Sequence, residues 1–396
     1  MAKNLSSLWL KSVVRLGKAQ QAQGSKLIKS LLPKSLKVPS VQLIKPFKLG
    51  NLLKAAVRPK AVKARHKPTV APALKVPALP TLPGMWQKFC FTLPDAPLMS
   101  TRQSMHCWLY LPLSASVPNA APRPLVVMLH GCKQTATDFA ISTRMNKLAE
   151  RKGFAVLYPQ QSIGADAHGC WHWYKRATQQ GLGDVKLIAA IIAQVQRSYG
   201  LDMTRTYVAG LSAGAGLANI LAFRHPQLIA AVGLHSGPVF GTTDSPISGY
   251  RAMQHGSNPA HCETACSFVK AQPQFPGMPV ILIHGDRDSV VRHVNVEQLS
   301  QQFLIVNKAL ITSAKPDHSN HPARIGGRSP HHAYKTETYY AGRKPQVVRY
   351  EISALGHAWS GGDNSVPFSV REGPDASLLM WTFFARHQRT PIVRKP

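Results

Sequence analysis

Thr206-Tyr-Val-Ala-Gly210-Leu-Ser212-Ala-Gly214-Ala-Gly-Leu-Ala-Asn-Ile220 is the stretch that decides how the chain reads. A β-branched and aromatic run leads into Gly210-Leu-Ser-Ala-Gly214, and an alanine- and leucine-rich segment follows. The pattern is a strand, a sharp turn and a helix, with Ser212 at the apex. A side chain at Gly210 or Gly214 would collide with a neighbouring strand or helix. The helix that starts after Ser212 aims its positive end and free N–H groups at the hydroxyl. Five residues alone also fit a strand–turn–helix joint with an incidental serine. The partners of a reactive serine must therefore come from the rest of the chain.

Working outward, Leu125–Leu129, Phe154–Tyr158, Ile229–Leu234 and Val280–Ile283 are short apolar runs, as expected of strands buried on both faces. Val347–Ile352 reads as the last strand, and Trp86–Phe91 and His106–Pro112 as two earlier ones. Helices are expected near 135–152, 184–199 and 294–304. A closing helix is expected over 374–387, with Pro374 in its first turn. The segment 236–275 reads as irregular, and 313–345 as a polar, histidine-rich insertion. Strands alternating with helices predict an α/β fold, a mostly parallel sheet covered by helices on both faces.

A serine hydroxyl needs a base, and the base needs a carboxylate to orient it. In the strand–elbow–helix architecture the chain order is Ser, then acid, then His, each at a strand's C-terminal end. Of 17 histidines, His357 follows the last strand on the glycine-flanked loop Gly356-His-Ala-Trp-Ser-Gly-Gly362. His235 comes too early in the chain, and His318, His321, His331 and His332 sit in the polar insertion. The acid lies in His284-Gly-Asp-Arg-Asp288. Asp288, ahead of Val290-Val291, is favoured over Asp286, which suits a turn cap. Two backbone N–H groups should receive the oxyanion: Ala213 after the nucleophile, and Cys132 in His130-Gly-Cys-Lys-Gln134, a loop Gln134 could position. His130 then reads as structural.

The charge is unevenly placed. The formal net charge is +31, and 18 of the 48 Lys and Arg precede the first acid, Asp95. Residues 4–32 form a basic amphipathic pattern, and nine prolines punctuate 33–83, a composition that builds no packed core. The domain division is thus an N-terminal extension over 1–84 and a catalytic domain over 85–390. The extension suits a storage-granule or other anionic surface, with no specific nucleic-acid partner expected. No 18-residue apolar run spans a membrane and no clean export signal precedes the domain, so a cytoplasmic location is expected, and the six cysteines are expected as reduced thiols. Fifteen pairings would otherwise be open to them. Cys262-x-x-x-Cys266 beside His261 lacks a second metal pair, so no metal site is read there.

His130-Gly-Cys-Lys-Gln134, Cys170-Trp-His-Trp-Tyr174, Gly210-Leu-Ser-Ala-Gly214, His284-Gly-Asp-Arg-Asp288 and Gly356-His-Ala-Trp-Ser-Gly-Gly362 together resemble the polyhydroxybutyrate depolymerase family of esterases. The resemblance covers about residues 85–390. It implies an α/β-hydrolase fold and cofactor-free ester hydrolysis. It also implies Ser212 as nucleophile, Asp288 as acid, His357 as base and Cys132 as oxyanion contact. Poly(3-hydroxybutyrate) or its oligomers are the expected substrate, with feruloyl or acetylxylan esters as the alternative of the same fold. Secreted members make an extracellular location the alternative. Trp171, Trp173 and Trp359 are candidate liners of a substrate pocket. The rival class is a surface- or nucleic-acid-binding protein with a vestigial hydrolase domain.

Overall fold

A computed structural model of the chain describes residues 81–93, 104–113, 121–257, 260–324 and 332–389. Most of the extension expected over 1–84 lies outside them. In chain order the first elements are β1 (Met85–Thr92), β2 (Ser104–Leu111), β3 (Leu125–Leu129), α1 (Ala136–Thr143), α2 (Met145–Lys152) and β4 (Ala155–Pro159). Then come α3 (Arg176–Gln179), α4 (Asp184–Ser198), β5 (Thr206–Leu211), α5 (Ala213–Arg224) and β6 (Ala231–His235). The second half holds α6 (Pro246–His255), α7 (Ala260–Ala271), β7 (Val280–Gly285), α8 (Val294–Val306), β8 (Asp317–His321), β9 (Tyr334–Ala341) and β10 (Lys344–Ile352). The short β11 (Trp359–Ser360) and β12 (Ser369–Val370) precede α9 (Ala376–Phe384).

Ten strands form one sheet in the order β1-β2-β4-β3-β5-β6-β7-β10-β9-β8. The six from β4 through β10 pair in parallel, and antiparallel strands flank them on both sides. Every residue of β3, β4, β5, β6 and β7 is buried, as uninterrupted apolar runs require when helices cover both faces. On one face Tyr207 stacks on Phe384 at 4.9 Å and Phe154 on Trp381 at 4.0 Å. On the other, Phe223 of α5 meets Phe268 of α7 at 5.1 Å and Phe303 of α8 at 5.0 Å. In α4, Val185, Ile188, Ile191, Ile192 and Val195 recur at helical spacing and are buried. Among the described residues no helix is long and apolar enough to cross a membrane.

The structure differs from the sequence reading in four places. The helix expected over 135–152 is two helices, broken at Arg144, whose φ of 53° is left-handed. The Arg144 guanidinium holds that bend by hydrogen bonding Gly361 O and lying 3.7 Å from Asp375. The segment 236–275 contains α6, opened by a Ser245/Ser248 capping box, and α7. The polar insertion 313–345 supplies β8 and β9, at the end of the sheet where an apolar face is not required, and the start of β10. Finally, the last helix is capped by Asp375, whose carboxylate accepts the Leu378 N–H at 3.0 Å, so Pro374 precedes the cap and is not in the first turn.

Candidate active site

Parallel pairing puts the C-terminal ends of β3, β5, β6, β7 and β10 on one edge of the sheet, and the chemistry-bearing side chains follow those ends. Leu129 lies opposite Gly210, Leu211 opposite His235, and Gly285 opposite Ile352. Ser212 leaves β5 with φ 57° and ψ −121°, a conformation that non-glycine residues adopt only when their surroundings enforce it. A Cβ on Gly210 would lie 2.3 Å from Gly214 C, and one on Gly214 would lie 2.0 Å from Leu129 O. Strand, helix and turn are therefore too close for any residue but glycine at both positions. Ser212 caps the twelve-residue α5, so the first-turn N–H groups, Ala213 among them, lack intrahelical acceptors and point at the turn.

The β7 and β10 loops bring the acid and the imidazole together. His357 Nδ1 donates to Asp288 Oδ2 at 2.8 Å, and Asp288 Oδ1 accepts the Val290 and Val291 N–H groups at 2.9 Å each. Burial opposes ionisation of Asp288, but attraction and a hydrogen bond from His357, with His284 and the Val291 N–H, outweigh it. The carboxyl is held below the usual carboxylate range. Asp286 stands apart from this pair, its Oδ1 accepting the Ala354 N–H at 2.7 Å at the start of the His357 loop.

Two further histidines at strand ends were not assigned roles from the sequence. His284 is buried, donates Nε2–H to Val291 O at 2.8 Å, and lies 3.8 Å from Asp288 Oδ2. Burial pushes its pKa down. His235 links the elbow to the His357 loop. Its carbonyl accepts the Ser212 N–H at 3.0 Å, and its Nε2 accepts the Ser360 N–H at 3.1 Å. Its ring stacks on Trp359 at 5.2 Å. Burial first, and then the neighbouring His284 and His357, push His235 down to about 3, so the ring is neutral. A readable signal existed: His130, His235, His284 and His357 each stand at the C-terminal end of a parallel strand or in the loop that follows it.

The β3 loop closes the other side. A Cβ on Gly131 would lie 3.6 Å from Ser212 Cβ, which puts the loop against the nucleophile. Gln134 Oε1 accepts the Gly131 N–H at 2.9 Å. His130 is buried, donating Nδ1–H to Gly131 O at 2.9 Å and accepting the Gln161 N–H at 3.2 Å. Burial pushes it down to about 4.

Two sequence expectations are corrected here. Cys132 and Cys170 form a disulfide, so the six cysteines are not all reduced; Cys90, Cys107, Cys262 and Cys266 are the free ones. The tryptophans do not line an open pocket. Trp171 and Trp359 are 0% exposed and Trp173 4%. Trp171 donates Nε1–H to His130 O at 2.9 Å, Trp359 packs edge-on against Phe139 at 5.4 Å, and Trp173 lies under Gly216 of α5. They are the packing behind the loops.

With that geometry in place, the chain can be set beside known proteins. Residues 105–318 match the family described as esterase PHB depolymerase. A poly(3-hydroxyalkanoate) depolymerase C from Paucimonas lemoignei is 30% identical over 246 residues, 61% of this chain and 56% of that protein. A poly(3-hydroxybutyrate) depolymerase from Ralstonia pickettii is 26% identical over 275 residues, 65% of this chain and 53% of that one. An acetylxylan esterase A from Aspergillus oryzae is 27% identical over 206 residues, 50% of this chain and 64% of that one. The chain thus spans between half and two thirds of these relatives. In structure it resembles an acetyl xylan esterase from Aspergillus awamori, with a TM-score of 0.58 at 21% identity, over 76% of this chain and all of that one. The fold is that of an α/β-hydrolase, and the chain belongs to the PHB depolymerase family of esterases.

Proposed function

We propose that the chain hydrolyses carboxylic esters by two-step acyl transfer through Ser212, acting on a poly(3-hydroxyalkanoate) such as poly(3-hydroxybutyrate) or on its oligomers. The observation that carries the reading is the pairing of a strained Ser212 at the start of α5 with an Asp288–His357 hydrogen bond of 2.8 Å on the same sheet edge. Asp288 fixes the His357 tautomer by accepting Nδ1–H, which leaves Nε2 free as the base. His357 takes the Ser212 proton as the hydroxyl oxygen attacks the ester carbonyl. The N–H groups of Ala213 and Cys132 receive the oxyanion. His357 then protonates the departing alcohol, and water repeats the sequence on the acyl-enzyme. The depolymerase relatives favour the polyester. The acetylxylan esterase relative from Aspergillus oryzae supports a second reading, acetyl or other esters on carbohydrate.

Disulfides persist in oxidising compartments. The Cys132–Cys170 bond therefore supports export over a cytoplasmic location, while the basic extension fits attachment to an anionic or polymer surface. Replacing Ser212 with Ala is expected to abolish p-nitrophenyl butyrate hydrolysis and fluorophosphonate labelling while circular dichroism stays that of the parent. Retained activity would remove Ser212 from the mechanism. Amorphous poly(3-hydroxybutyrate), hydroxybutyrate oligomers, methyl ferulate and acetylated xylan, assayed side by side, rank the substrate classes.

A further inference from the structure

We propose that Cys170 is a positioning residue for catalysis: through its disulfide it holds the Cys132 N–H where the oxyanion forms, so that activity depends on the redox state of that one bond. The inference rests on the acyl-transfer reading above.

Cys132 sits in a loop whose ties to the segment 166–171 bracket it on both sides. Ahead of it, Trp171 Nε1–H is donated to His130 O at 2.9 Å; behind it, Lys133 N–H is donated to His168 O at 2.7 Å. The segment is itself preorganised, since Asp166 Oδ1 accepts the His168 and Cys170 N–H groups at 2.9 and 3.1 Å. Lys133 has φ 64°, left-handed backbone that an L residue keeps only when its neighbours enforce it. The covalent bond lies one residue before that strained position. The Cys132 N–H has no acceptor among the described residues, so it is available to a ligand oxygen. Because a displaced donor weakens stabilisation of the developing charge more than it weakens substrate binding, the effect should fall on kcat.

All six cysteines are described and one pair is bonded, so a dithiol has one bond to reduce. Two electrons and two protons pass from dithiothreitol to the protein. The Cys132–Cys170 bond breaks, both sulfurs become thiols, and the dithiol closes into its own cyclic disulfide. On this inference, full reduction lowers kcat for p-nitrophenyl butyrate by about tenfold or more, with KM within about twofold. Reoxidation restores it. The double variant Cys132→Ser/Cys170→Ser, assayed well below its melting midpoint, shows the same low kcat and no response to dithiothreitol. A boronic acid that forms a tetrahedral adduct on Ser212 should lose affinity by a similar factor, which a purely structural brace would not cause. Unchanged kcat after complete reduction, with only the melting midpoint lowered, overturns the inference while leaving Ser212 in its role. If Ser212→Ala is itself fully active, the underlying reading falls instead.

Discussion

The two sides of the catalytic edge are built by different means. On the acid–base side, the β7 and β10 loops are held by hydrogen bonds and ring packing without a covalent cross-link among the described residues: Val290, Val291 and His357 donate to Asp288, and Ser360 N–H donates to His235, whose ring stacks on Trp359. On the oxyanion side, the β3 loop is held to the segment after β4 by a disulfide. The difference follows from what each side must do. A base has to change its charge and turn toward its proton partners, so directional, reversible bonds suit it. An N–H donor does nothing but stay in place, and its value depends on that preorganisation.

Breaking the hydrogen-bonded side at its centre should give the largest effect. Asp288→Asn keeps the volume but removes the charge and one acceptor that fix the His357 tautomer. We expect kcat to fall by about 10³–10⁴-fold, with ester-substrate KM little changed. Asp286→Asn, two residues away, should leave kcat within about threefold, because Asp286 Oδ1 holds only the Ala354 N–H. Steady-state kinetics on the two variants separate the carboxylates directly, and equal losses would refute the division of labour between them.

Next comes the elbow that both sides share. Gly214→Ala puts a methyl 2.0 Å from Leu129 O, a backbone atom of a buried strand that has little room to yield. We expect a loss of about 3 kcal/mol or more, beyond ordinary overpacking, read as a lower urea midpoint or as insoluble expression. A variant as stable as the parent would show that the helix and β3 can separate.

This geometry explains which features could be read from the sequence. The parallel core was legible because a strand buried on both faces has to be an unbroken apolar run, as in Leu125–Leu129. The placement of Ser212, Asp288 and His357 at strand ends was legible because that chemistry follows the topology. The edge was less so: Asp317-His-Ser-Asn-His321 makes a strand with no apolar period, since its pairing to β9 and not its burial orders it. Nor did α7 announce itself, with three buried residues in twelve. The disulfide joins residues 38 apart in a chain with many possible pairings, so only the fold selects it. The tryptophans misled because aromatic residues in a loop suit a pocket and a core equally; their burial decides for the core.

The smallest expected effect concerns two neutral buried histidines, His235 on the acid–base side and His130 on the oxyanion side. His235 is lowered to about 3 and His130 to about 4, both chiefly by burial, against an unfolded value of 6.5. Below pH 6.5 the unfolded chain therefore binds protons that the folded chain does not, and stability falls with pH until the folded values are reached. At pH 5 each ring contributes a loss of roughly 2 kcal/mol relative to neutral pH. The depressed Asp288 adds to it only further down, once pH passes below the ordinary carboxylate range. His235→Phe keeps an aromatic ring against Trp359 and removes the titrating group, but it orphans the Ser360 N–H. We expect the variant to lose about 1–3 kcal/mol at pH 8 and to show a shallower decline between pH 6.5 and 4 than the parent, measured as urea midpoints across pH. Parallel curves for variant and parent would mean that His235 is not the neutral ring that ties the elbow to the His357 loop.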